Sequence, residues 1–227
     1  MNIITKLLRH NWIATVYFNF KMLPFKQAIH LPIDFYSKVK FVNLRGKVIL
    51  SSSCIHRGMV KIGAQGSEMF PSSTYVLDIK GTLTFNGICS LGNGGLMRIE
   101  KNGTIYIGDN VTLGAYNLIF CEKSIKISRD TISSWNCQIM DTDTHSIIDI
   151  YNNTIYNRNS PICIGERNWI GNHVIINKGT ITPNDTIIAS CTLCNKDYSK
   201  LITKNSIIGG YPARLLSSNK RRLNDKI

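Results

Sequence analysis

No run of eighteen or more apolar residues occurs in the 227-residue chain, which excludes a membrane-crossing helix. Lys6, Arg9 and His10 sit beside a short apolar stretch at the start, but Asn11, Asn19 and the missing small-residue cleavage site read against a signal peptide. No nucleophile elbow, H-E-x-x-H, P-loop or G-x-G-x-x-G is present, so the commonest signatures of hydrolases, zinc proteases and nucleotide-binding folds are missing. Gly92-Asn93-Gly94-Gly95 has no following Lys-Ser/Thr and reads as a corner, not a phosphate cradle. The seven cysteines are odd in number and scattered among apolar positions, the pattern of small core residues in a reducing compartment. Cys191 and Cys194 make a lone C-x-x-C with neither a second C-x-x-C nor a nearby His pair, so packing is the expected role and no metal is expected. Acids are few: 14 Asp and Glu against 27 Lys and Arg leave a net charge of +13.

What the chain does have is a period of six. Ile164, Ile170, Ile176, Thr182, Ile188 and Cys194 fall at that interval, followed by Gly165, Gly171, Asn177, Pro183, Ala189 and Asn195. Neither a 3.6-residue helix nor a simple strand alternation has this period. A chain coiling round a prism does, with one inward aliphatic residue per face and a tight turn at each corner; this is a parallel β-helix built of hexapeptides. Ile107, Leu113, Ile119 and Ile125 carry the same beat earlier, which slips by two at Ile127 and returns at Ile139. Three parts follow: a partly helical capping segment over 1–45, a β-helix over 46–195 interrupted by an Asn-rich loop at 146–160, and a basic extension over 196–227 ending in a mobile Lys220-Arg221-Arg222 tail.

The charge is uneven. Residues 1–67 hold ten Lys and Arg against Asp34 alone, and residues 196–227 hold eight against two, while 68–195 is slightly acidic. Basic ends suit a phosphorylated ligand or an anionic membrane surface. Nucleic acid ranks last, because the basic residues lack aromatic interleaving and any recognised module. The apolar segment Phe18 to Phe25 has two readings: it caps the open end of the β-helix, which is preferred, or it rests on the inner face of a membrane.

The one dense polar constellation is Asp141-Thr142-Asp143-Thr144-His145. If the strand begun at Ile139 continues, side chains 141, 143 and 145 share a face, and a carboxylate can orient the imidazole as a general base. Asp143 is the preferred orienter of His145 and Asp141 the second choice. His173 is a second histidine of the β region, thin support for a metal site.

Pro161-Ile162-Cys163-Ile164-Gly165, the run Trp169 to Gly179 and Gly210-Tyr211-Pro212-Ala213-Arg214 resemble the left-handed β-helix, hexapeptide-repeat acyltransferases. Residues 96–214 are similar to galactoside and maltose acetyltransferases. Phe18 to Pro32 and Ser134-Trp135-Asn136 with Asp141 to His145 resemble the O-acetyltransferases of capsule and O-antigen synthesis. The resemblance implies a cytoplasmic homotrimer that binds acetyl-CoA between neighbouring prisms and acetylates a saccharide hydroxyl. His145 matches the catalytic base. Trp169 matches a cleft-lining position and Asn172 one near the thioester; Ser190, Asn195 and Lys196 match contacts to the pantetheine arm or phosphates, and Arg214 one near the nucleotide. Asp141 and Asn117 are the expected acceptor contacts. Thr182-Pro183 and Ala189-Ser190-Cys191-Thr192 depart from the usual aliphatic-Gly and G-A-G-S steps. Competing readings are transfer to an aminosugar nitrogen, a metal-dependent hydratase needing three histidines, and a noncatalytic scaffold.

Overall fold

The computed structural model describes residues 10–64 and 69–223; the expected helical stretch before His10, with Lys6 and Arg9, lies outside them. Three parallel sheets form the walls of a prism. The first face runs from Ile33–Phe35 through Val60–Ala64, Cys89–Gly92, Val111–Leu113, Ile132–Ser133, Trp169–Ile170 and Ile187–Ile188 to Ile207–Gly210, and ends in an antiparallel strand, Ala213–Ser217. The second face runs from Val39–Leu44 to Leu193–Cys194, and the third from Lys47–Leu50 to Ile162–Ile164. Ile181 and Asp197 prolong the third face as isolated parallel bridges.

The period of six is the reason for this shape. Ile164, Ile170, Ile176, Thr182, Ile188 and Cys194 are all buried, each pointing into the prism from successive faces. Leu77, Met97, Ile119, Ile139, Ile176 and Cys194 pair in register down the second face as one interior column. Burying each Leu, Met or Ile side chain of that column is worth about 1.5–3 kcal/mol. Trp169 pairs with Ile187 and Ile170 with Ile188, so one turn there takes eighteen residues, three hexads. Corners are tight: a Cβ on Gly171 would lie 2.7 Å from the Ser190 nitrogen of the next coil.

Thr182 keeps the inward position that an aliphatic residue usually holds. Its hydroxyl accepts from Gly165 N at 3.1 Å and from Asn168 Nδ2 at 2.6 Å, and Asn168 Oδ1 in turn accepts from Thr186 N. The buried oxygen is therefore satisfied. Cys194 is fully buried, and burial pushes its thiol up to about 12; Cys191 is exposed at φ 58°. The two do not converge.

Coiling begins at Ile33, earlier than the expected 46, and continues to Gly210, past 195. The hexads are irregular at both ends, but Ile207 and Ile208 still pair with Ile187 and Ile188. The tail is tied down: Lys220 N donates to Asn205 O at 2.7 Å and Arg222 Nη2 to Asp130 O at 3.0 Å.

The helix Trp12–Met22, N-capped by Asn11, closes the first coil. Phe18 packs on Phe35 and Phe41 at centroid distances of 5.1 and 5.6 Å. Side chains replace the missing neighbouring strand: Asn19 accepts from Ile33 N and donates to Ile33 O, while Thr15 Oγ1 accepts from Phe35 N. The edge strand is thereby paired without another strand.

Candidate active site

The coil breaks at the corner between the second and third faces. The strand Gln138–Met140 stops one residue before Asp141, and Thr144 adopts φ 63°, so side chains 141, 143 and 145 do not alternate along a strand as expected. The departing loop is a hairpin, Ile147–Ile148 against Ile155–Tyr156. Its stem is stitched by Asp143 N to Arg158 O at 2.9 Å, Ser160 N to Asp141 O at 3.0 Å and the Thr142–Asn159 bridge. Arg158 braces it further, pairing with Glu122 at 3.1 Å and reaching Thr144 O at 3.3 Å. His145 sits at the mouth of this stem with its side chain exposed.

The acids around it divide the labour differently from the sequence expectation. Asp143 is exposed; its carboxylate is paired with Lys178 Nζ, and its carbonyl accepts the His145 backbone N–H at 2.7 Å. Lys178 also donates to Asn157 O at 2.9 Å. Asp141 is 0 % exposed and accepts from the backbone N–H groups of Glu122, Lys123 and Ser124 at 2.6 to 2.8 Å and from the Cys121 thiol. Burial first, then the Asp141 charge, pushes the Cys121 thiol upward. Asp141 thus pins the corner where the hexad beat slips and leaves no exposed lone pair for an acceptor or for His145. Asn117, the other expected acceptor contact, is also interior. Its amide donates to Gly114 O, Ser133 Oγ and Ser134 O, and its carbonyl accepts from Cys137 N at 2.7 Å.

The remaining candidates fall into two groups. Asn195 and Lys196 are exposed at the same corner as His145, farther along the coil. Trp169 stands outward on the first face, 41 % exposed. Asn172 and Ser190 meet at the corner between first and second faces, where the Ser190 hydroxyl bonds to Asn172 Oδ1. Arg214 projects from the antiparallel strand opposite Gly209. His173, at φ 56°, belongs to that same first-to-second corner, apart from His145, so the two histidines do not converge. Lys178 and Arg158 were missed by the sequence reading. Lys178 follows the Asn177 corner within the run Trp169 to Gly179, but its partner Asp143 lies 35 residues away.

No protein-family model matches the chain. Repeat and coil are those of a hexapeptide β-helix, and the curated relatives that the chain is similar to are named acetyltransferases. The chain is 27 % identical over 144 residues to WbbJ of Escherichia coli K12, named for O-acetyl transfer in lipopolysaccharide biosynthesis; the match spans 60 % of the chain and 71 % of that protein. It is 35 % identical to the galactoside O-acetyltransferase of the same organism, over 66 residues and 29 % of each protein. In fold it is similar to the polysialic-acid-specific acetyltransferase NeuO, with a TM-score of 0.58 at 18 % identity over 86 % of this chain and 80 % of that one. A second fold match is the polysialic acid O-acetyltransferase OatWY, with a TM-score of 0.51 at 18 % identity over 86 % and 92 %.

Proposed function

We propose that the protein transfers the acetyl group of acetyl-CoA to a hydroxyl of a saccharide that belongs to a bacterial surface polysaccharide or its precursor. The observation that carries this reading is His145: an exposed imidazole on a braced stem, at the break of a coil whose curated relatives are named O-acetyltransferases. His145 takes the proton of the acceptor hydroxyl as its oxygen attacks the thioester carbonyl carbon. The carbon–sulfur bond then breaks, and the thiolate of CoA recovers that proton from the imidazolium. Asn172 and Ser190 offer polar groups to the acyl end, Trp169 a wall for the pantetheine arm, and Lys196 and Arg214 cations for the phosphates.

We read the coil as left-handed and the working unit as a homotrimer. The handedness accords with positive φ at successive corner residues Asn110, Asp130, Arg167 and Asp185. The trimer accords with a divided site: His145 and Lys196 lie at one corner, Trp169, Asn172 and Arg214 around another, so a neighbouring prism would bring one set to the other. It accords too with the hairpin, whose Ile150 and Tyr151 are 79 % and 94 % exposed and suit burial on a second copy. A cytoplasmic site of action suits seven free cysteines.

Thiol release from acetyl-CoA, measured against a panel of saccharides with mass analysis of the product, tests the reading. His145→Ala should lower turnover by about 10²-fold or more. Full activity in that variant removes the catalytic assignment.

A further inference from the structure

The N-terminal helix is apolar on two sides, and the prism uses only one. Ala14, Thr15, Phe18 and Asn19 are buried towards the first coil. Ile13, Val16, Tyr17 and Phe20, spaced three and four apart, form a second stripe turned to solvent, with Ile13 86 % exposed. Phe25 and Ile29 of the following short helix Phe25–Ala28 and its end extend the stripe, and the Phe20 and Phe25 rings lie 6.0 Å apart. A patch of this kind marks an interaction surface.

The rim of the patch says what covers it. Lys21 and Lys26 flank the stripe, and residues 1–67 contain ten Lys and Arg. The one acid in that span, Asp34, is buried with its carboxylate 3.2 Å from His10 Nε2. Among the described residues up to Ala64, therefore, no exposed carboxylate offsets the cations. A second copy docking here would set like charge against like. An anionic bilayer accepts both features, apolar side chains into the acyl boundary and lysines onto the head groups. Eleven residues are too few to span a bilayer, so the helix would lie in the interface.

We propose that this cap face docks on an anionic lipid bilayer, orienting the prism end-on to the membrane. The proposal is independent of the acyl-transfer reading.

The test is co-sedimentation of the full chain with phosphatidylcholine vesicles, with and without phosphatidylglycerol. Binding is expected on the anionic vesicles and should be roughly tenfold or more weaker on neutral ones. Ile13→Asp with Phe25→Asp should abolish binding, and Lys21→Gln with Lys26→Gln should weaken it roughly tenfold or more. Unfolding temperature and oligomer mass should be unchanged, because Ile13 and Phe25 are 86 % and 70 % exposed. No binding to anionic vesicles, or retained binding in the Ile13/Phe25 variant, overturns the proposal. So does a drop in oligomer mass in that variant, which would assign the face to a second copy.

Discussion

Asp143 gives His145 its carbonyl and gives Lys178 its carboxylate. The division follows from the backbone. Once the strand ends at Met140 and Thr144 turns through φ 63°, the Asp143 main chain closes the turn under His145 while its side chain leans towards the next coil. A carboxylate committed to an ammonium ion has less to offer an imidazole, and Lys178 is tied to the hairpin stem through Asn157 as well.

Asp143→Asn should therefore cost turnover far less than His145→Ala, by about tenfold or less against about 10²-fold or more. Its effect should fall on KM for the acceptor, because loosening the Lys178 tie frees the stem. The check is kcat and KM for both variants across pH. Equal losses of kcat would instead make Asp143 the orienter of the imidazole.

Asp141 should behave as a structural residue. Removing a buried carboxylate that serves three backbone N–H groups leaves those donors unpaired, each at a cost of about 1–3 kcal/mol. Asp141→Ala should shift the urea midpoint downward by an amount worth about 3 kcal/mol or more. Among molecules still folded, kcat/KM should stay within about threefold of the parent. A stable but inactive Asp141→Ala would return this residue to the chemistry.

The periodic part of the molecule was legible because the inward aliphatic of each hexad depends only on its own strand. From Ile164 to Cys194 every expected inward residue is inward. Asp141 and Asn117 were not legible as interior residues, because a polar side chain can be buried only where donors and acceptors await it. Those partners sit in other coils: Glu122 to Ser124 for Asp141, and Ser133, Ser134 and Cys137 for Asn117. Only Gly114 O, three residues before Asn117, is local. The ends of the coil are hard to read for the converse reason, since irregular corners hide strands such as Ile33–Phe35 and Ile207–Gly210 that register only against their neighbours.

Acid should weaken the coil through its corner carboxylates. Arg167 grips Asp185 at 2.8 and 2.9 Å and holds its carboxyl below the ordinary 3.8. At Glu100 burial works upward, but hydrogen bonds from Lys80 and Arg98 outweigh it and leave the carboxyl below 4.5. The unfolded chain takes up these protons at the ordinary values, the folded chain only at lower pH. Their stabilisation is thus complete above about pH 5 and is lost as pH falls through the depressed folded values. Urea midpoints should be flat from pH 7 to about 5 and decline below about 4. Arg167→Met should make that decline shallower, and an unchanged slope would detach Asp185 from acid stability.

A shared site makes a quantitative demand on mixed assemblies. His145→Ala disables one corner, and Ser190→Trp, on an exposed position beside Asn172, would block the other. Each variant alone should be inactive. If the corners of one prism formed a complete site, mixing the two would yield nothing, because every chain carries a defect. If a site instead joins the His145 corner of one copy to the Asn172 corner of its neighbour, random mixing at equal amounts leaves about one site in four with both corners intact. Co-expressed and co-purified variants should then recover about a quarter of the parent activity, measured as thiol release. The same chains purified apart and mixed below their exchange rate should recover none. Recovery absent from co-expressed chains of confirmed mixed composition would put the whole site on a single prism.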